Sequence, residues 1–247
     1  MIQKIIIEIC ADSIESALAA WNGGAHRIEL CSGLEMGGLT PSKGLIDFVI
    51  SHVKIPVYTL IRPRTGDFIY TSDELEMMIS DIYYAKAAGA AGIVIGVLNK
   101  NATVNSTAMK QLIEASRPLP VTFHRAFDVL VDKRSALEDI IKLGCKRILT
   151  SGGFKSATTG SHIISELIKQ SNGRILIMPG AGINEKNLPE LVEATGCYEY
   201  HLSASMISAN NMDHENIHLK DVFPASRPIS DLNKIKAICT LSGILSE

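Results

Sequence analysis

The sequence has no C-x-x-C pair, no apolar run of bilayer-spanning length and no excess of positive charge. Each absence excludes a class of function. Five scattered cysteines, an odd number, do not form a disulfide framework and read as free thiols in a reducing cytosol. Without about 20 consecutive apolar residues the chain has no membrane span to offer. Nothing at the N-terminus resembles a secretion signal, because Glu8 interrupts the first apolar run and no small-residue cleavage site follows. A formal charge of −2 gives no basic face for nucleic acid. A cytoplasmic chain with neither membrane nor nucleic acid as partner is expected.

What is present is a core and a rhythm. Of 247 residues 46% are apolar and only 20% charged, enough for one large α/β domain or two small ones. Two echoing runs open the chain: Ile6 to Asp12 is answered by Arg27 to Gly33, each with a carboxylate followed two residues later by a thiol. Between them Ser13 to Trp21 has helical spacing, which makes a strand–helix–strand unit with parallel strands. The alternation continues. Strands are expected at Pro56–Ile61, Gly92–Leu98, Val121–His124, Lys146–Thr150, Arg174–Met178 and Tyr198–Leu202. Helices fall between them: Pro41 to about His52 capped by Thr40, Ser72–Ala88, Asn105–Arg117, Lys133–Leu143, Gly160–Gln170, and one capped by Asn184 that ends at Gly196. A long connection, about 203–228, precedes a final helix from Ser230. Eight strand–helix pairs over this length predict a single (β/α)8 TIM barrel spanning residues 1–247.

Barrels of this kind carry their chemistry at the C-terminal ends of the strands. Glu8, Cys10, Glu29, Cys31, Arg62, Arg64, His124, Arg125 and His201 all fall there. Period two sets Glu8 with Cys10, and Glu29 with Cys31, on the inward face. Acids and guanidinium groups at one mouth fit a small anionic molecule, or else buried ion pairs that brace the barrel. Ser151-Gly152-Gly153 and Gly180-Ala181-Gly182 follow consecutive strands, so their backbone amides read as an anion cradle or as tight turns. In an enzyme Arg62, Arg64, Arg125, His201 and these loops would hold the anion, while His124 and Glu8 or Glu29 moved protons. Cys10 and Cys31 could share a soft metal such as Cu(I), although barrel stagger offsets neighbouring strands, and cysteine is also a common core residue. Cys145, Cys197 and Cys239 read as fillers, and His214 with His218 as solvated loop residues.

The segments Ile7-Glu8-Ile9-Cys10, Arg27-Ile28-Glu29-Leu30-Cys31-Ser32-Gly33-Leu34 and Gly37-Gly38-Leu39-Thr40-Pro41-Ser42 resemble the CutC family. So do Ile61-Arg62-Pro63-Arg64, Phe123-His124-Arg125-Ala126-Phe127-Asp128, Leu149-Thr150-Ser151-Gly152-Gly153, Met178-Pro179-Gly180-Ala181-Gly182 and His201-Leu202-Ser203-Ala204-Ser205. The resemblance implies a cytoplasmic TIM barrel, often a homo-oligomer, named for copper homeostasis, with Cu(I) held by Cys10 and Cys31. That is the leading expectation. The alternative is a barrel enzyme of unassigned reaction acting on a small phosphorylated or carboxylated metabolite.

Overall fold

The computed structural model describes residues 4–209, 218 and 224–245. Eight parallel strands form one sheet: β1 (Ile6–Ala11), β2 (Arg27–Leu30), β3 (Val57–Leu60), β4 (Gly92–Ile95), β5 (Val121–Phe123), β6 (Arg147–Thr150), β7 (Leu176–Pro179) and β8 (Glu199–Leu202). Neighbours in sequence are neighbours in the sheet, β1 also pairs with β8, and a parallel bridge between Gly180 and His201 closes the ring. Helices α1 (Ile14–Asn22), α2 (Lys43–His52), α3 (Ser72–Ala88), α4 (Ser106–Ser116), α5 (Lys133–Leu143), α6 (Ser161–Ser171), α7 (Leu188–Thr195) and α8 (Leu232–Ile244) surround it. This is the (β/α)8 barrel that the alternation predicts.

Local chemistry sets most boundaries. Ser13 accepts from the Ser16 amide to start α1, and Thr71 with Glu74 forms a reciprocal capping box on α3. Two helix starts differ from expectation. Helix α2 is capped by Ser42, because the Thr40 hydroxyl instead accepts the Arg62 amide at the end of β3. Asn184 is used in a preceding turn, where it accepts from the Lys186 amide, so α7 begins at Leu188. The long connection contains an antiparallel pair, β9 (Ser205–Ile207) with β10 (Pro228–Ser230), and α8, capped by Asp231, begins at Leu232 and not at Ser230. His214 lies outside the described residues, whereas His218 is exposed.

The strand period divides the molecule into two cores. Outward residues such as Ile7, Ile9, Ile28 and Leu30 join the apolar layer beneath the helices. Inward positions carry Glu8 and Cys10, Arg27 and Glu29, Tyr58 and Leu60, Thr122 and His124, Arg147, Met178, Glu199 and His201. The barrel interior is therefore largely polar. Arg147 holds Glu199 through two bonds of 2.9 and 3.2 Å, and Arg27 bridges Glu199 at 2.6 Å to Glu8. Both guanidinium groups lie over the Tyr58 ring, 5.0 and 5.1 Å from its centroid. Gly92 makes room for that ring, since a Cβ there would lie 2.3 Å from Tyr58 Cε2.

Gly92→Ala should therefore destabilise the barrel by about 1–3 kcal/mol through overpacking, read as a lower urea midpoint at unchanged slope. An unshifted midpoint would mean that Tyr58 is not wedged where this packing requires.

Candidate active site

Above the ionic layer the barrel opens into a cavity of about 260 Å³, lined among others by Cys10, Glu29, Arg62, His124, Arg125 and His201. Each reaches it from a strand end. Register places Cys10 beside Glu29 on the next strand and Glu8 beside both Arg27 and His201.

Glu8 and Glu29 have opposite environments. Glu8 is fully enclosed, which alone would favour the neutral acid, but Arg27 and a 2.7 Å contact with His201 Nδ1 hold its carboxyl down at about 2. Its charge is held between Arg27 and His201. Glu29 is pushed up to about 7, first by burial and then by the negative charge of Glu8, against the pull of His201 and Arg27. Its Oε1 lies 4.0 Å from His201 Nε2, and its Oε2 has no partner among the described residues. Burial disfavours charge on His201, yet Cys10, Glu29 and Glu8 around the ring hold its pKa well above the ordinary value. His201 is thus an imidazolium bonded to Glu8.

His124 is the reverse case. Burial, assisted by the neighbouring Arg62 charge, lowers it to about 3. Its Nδ1 accepts from the Ala126 amide at 3.1 Å, so the single ring proton sits on Nε2, which has no partner among the described residues. A neutral imidazole with a fixed Nε2–H is a hydrogen-bond donor.

Several predicted anion ligands are otherwise engaged. Arg62 lines the cavity but gives its terminal nitrogens to the Met36, Gly38 and Gly66 carbonyls, leaving only Nε without a partner among the described residues. Arg64 turns to the surface, where Asp67 and Glu74 take its guanidinium. It does not line the cavity. The Ser151-Gly152-Gly153 loop does form a cradle, and the protein fills it. Asp128 Oδ1 accepts from the Ser151 and Gly153 amides and from Thr150 Oγ1, while its Oδ2 accepts from Ser151 Oγ and Arg125 Nε. Gly152 donates to Thr150 Oγ1. This loop is therefore not a vacant ligand site. Gly180 donates to the Thr150 carbonyl and helps close the ring, whereas Gly182, with Ala181 and Ile183, lines the cavity.

The two thiols have different surroundings. Cys10 lines the cavity, whereas Cys31 is enclosed by Tyr58, Leu60 and Val94. Burial first, and then the neighbouring Cys10 thiol and Glu29 carboxyl, drive the Cys31 thiol far above its ordinary pKa. The ligand atoms that converge within 4.8 Å are those of Glu8, Glu29 and His201. Two carboxylates and an imidazole suit harder cations than Cu(I), and two of the three already neutralise each other. That cluster fits copper poorly, and the soft donor lining the cavity is the Cys10 thiol.

Sequence reading missed Arg27, Arg147, Glu199 and Asp128. The first three were visible as charges at alternate positions of apolar strands, the pattern that exposed Glu8 and Glu29. Asp128 gave no such signal, because it lies on a turn and its role depends on a loop 22 residues later.

The CutC family matches residues 5–206 of this chain. The chain belongs to the CutC family. A human copper homeostasis protein cutC homolog is 47% identical over 211 residues, covering 85% of this chain and 77% of the human protein. The CutC family protein of Pasteurella multocida is 48% identical over 208 residues, 84% of this chain and 85% of its own length. A crystal structure of CutC from Streptococcus agalactiae superposes with a TM-score of 0.77 at 32% identity, covering 81% of this chain and 98% of that one. The shared CutC segment contains the cavity and the ionic layer beneath it. Among the described residues no helix is long and apolar enough to cross a membrane.

The Glu29 environment has a signature in stability. The unfolded carboxyl has its ordinary value of 4.5 and the folded one about 7, so the folded chain holds this proton more tightly. The associated stability is complete below pH 4.5 and is lost as pH rises through 7, by roughly 1.4 kcal/mol per pH unit at most. Glu29→Gln should remove that slope: wild type minus variant, followed by urea unfolding from pH 4.5 to 8, should fall with pH. A flat difference would show that Glu29 titrates as an ordinary exposed acid.

Proposed function

We propose that this CutC chain is a proton-transfer enzyme acting on a small carbonyl-containing anionic metabolite. One observation carries the reading. Glu29, a buried carboxyl poised near neutrality, and His124, a neutral imidazole, both line one cavity, and Glu29 Oε2 and His124 Nε2 have no partner among the described residues. A base with a pKa close to ambient pH is suited to removing a proton from carbon, and a neutral imidazole donor is suited to the oxygen that gains charge. That division of labour is a general solution for enolisation. The proton on the carbon beside the carbonyl passes to the Glu29 carboxylate. The electron pair of the broken C–H bond forms the enol double bond, and charge builds on the carbonyl oxygen facing His124 and Arg62. Return of the proton to the same carbon completes an exchange; where that carbon bears a hydroxyl, return to the former carbonyl carbon, with the hydroxyl proton passing to the former carbonyl oxygen, completes an isomerisation. His201 and Glu8 set the field in which Glu29 titrates. Ala181, Gly182, Ile183 and Arg125, on the rim, suit the anionic end of the substrate.

In deuterium oxide the protein should exchange carbon-bound protons of pyruvate or dihydroxyacetone phosphate into solvent, followed by loss of the proton NMR signal. Glu29→Gln should slow exchange about 100-fold or more. Exchange no faster than buffer across such carbonyl compounds would sink the proposal.

A second reading, Cu(I) handling in a reducing cytosol through Cys10 and Cys31, draws on the names of the relatives and on one feature of this chain. Both thiols face the interior, close enough for Cys10 to influence Cys31 electrostatically. Copper would then be cargo. An anaerobic Cu(I) titration against a competing chelator separates the two readings. The enzyme reading expects binding unaffected by the Cys10→Ser, Cys31→Ser double substitution, whereas tight one-to-one binding abolished by it would favour copper.

A further inference from the structure

Six buried side-chain polar atoms lack a partner among the described residues, and three of them, Glu29 Oε2, Arg62 Nε and His124 Nε2, belong to residues lining this one cavity. Leaving such atoms unpaired costs about 1–3 kcal/mol each, so their arrangement describes what completes the site. Two are donors with a fixed hydrogen. Arg62 is held by three backbone carbonyls that engage both terminal nitrogens and leave Nε as the nitrogen without a partner, and His124 by the Ala126 amide that forces its proton onto Nε2. The third is a carboxyl oxygen that accepts when ionised and belongs to a donating group when protonated.

We infer that the cavity recognises an α-hydroxy carbonyl edge, in which a carbonyl or carboxylate oxygen takes the Arg62 and His124 hydrogens and the adjacent hydroxyl pairs with Glu29. An sp² oxygen has two lone pairs for two donors. A hydroxyl both donates and accepts, so it is the neutral group that satisfies Glu29 in either protonation state. A simple keto acid would leave Glu29 unpaired, and an amine would be repelled by Arg62 and the His201 imidazolium. At about 260 Å³ the cavity is smaller than the roughly 300–1,000 Å³ of sites for drug-sized ligands, which limits the occupant to a compact metabolite. The inference deepens the enzyme reading and rests on its choice of cavity.

The test is calorimetric titration of the wild-type protein with matched pairs: lactate against propionate, and dihydroxyacetone against acetone. The hydroxylated member should bind at least about tenfold more tightly, because a site built for a hydroxyl rejects the compound lacking it. Glu29→Leu should erase that preference, bringing the two members of each pair to equal affinity. If that variant does not fold, the wild-type pairs still decide. Equal affinities within each pair, or no binding of any of the four at millimolar concentration, would overturn the inference. Selective binding without proton exchange would keep the ligand class and remove the enzyme. Exchange on pyruvate without any hydroxyl preference would do the reverse.

Discussion

Two guanidinium groups stacked on one tyrosine ring, and the carboxylates they hold, set the character of this barrel. Arg27 and Arg147 bury their charge over Tyr58, and Glu199 joins them from the last strand. Burying ions is costly unless each is paired and its remaining donors are used. Here the requirement propagates upward: Arg27 reaches Glu8, Glu8 holds the His201 imidazolium, and His201 faces Glu29. The chain of alternating charge ends at Glu29, where compensation is incomplete. A carboxyl at the end of such a network is where a titration near neutrality is expected.

The opposite wall is built on another principle. His124 and Arg62 are fixed by backbone groups, so their orientation depends on loop conformation and not on other charges. Asp128 adds rigidity by collecting donors from two amides, two hydroxyls and the Arg125 guanidinium, which ties the turn after β5 to the loop after β6. An adaptable acid–base group on one side and fixed donors on the other is an arrangement suited to charge that develops during a reaction.

Much of this was legible in the sequence, for identifiable reasons. Parallel strands covered on both faces read as apolar runs, so Glu8 and Glu29 stood out against Ile7, Ile9, Ile28 and Leu30. The strand–helix alternation gave the barrel, and His124 and His201 declared themselves by lying at strand ends. What stayed hidden depended on partners distant in sequence. Glu8 and Glu29 look equivalent until Arg27 is seen to hold the first and leave the second. The Ser151-Gly152-Gly153 loop reads as an empty anion cradle until Asp128 is found inside it. Cys10 and Cys31 look paired in the repeated motif, but the parallel register sets Cys10 beside Glu29. Helix starts slipped at Thr40 and Asn184 because both side chains had other hydrogen bonds to make.

The ionic layer also constrains how the chain reaches this structure. Arg27 and Glu199 meet across a separation of 172 residues, and Glu8 and His201 across 193. Until the eighth strand docks, the opening strands hold charges whose partners have not arrived. A partly built barrel therefore carries poorly compensated ions in what should become its centre. Contacts of such long range slow folding and expose incomplete intermediates. Ring closure is accordingly the step that neutralises the interior, so the order of synthesis and the electrostatics of the finished centre are linked through one strand.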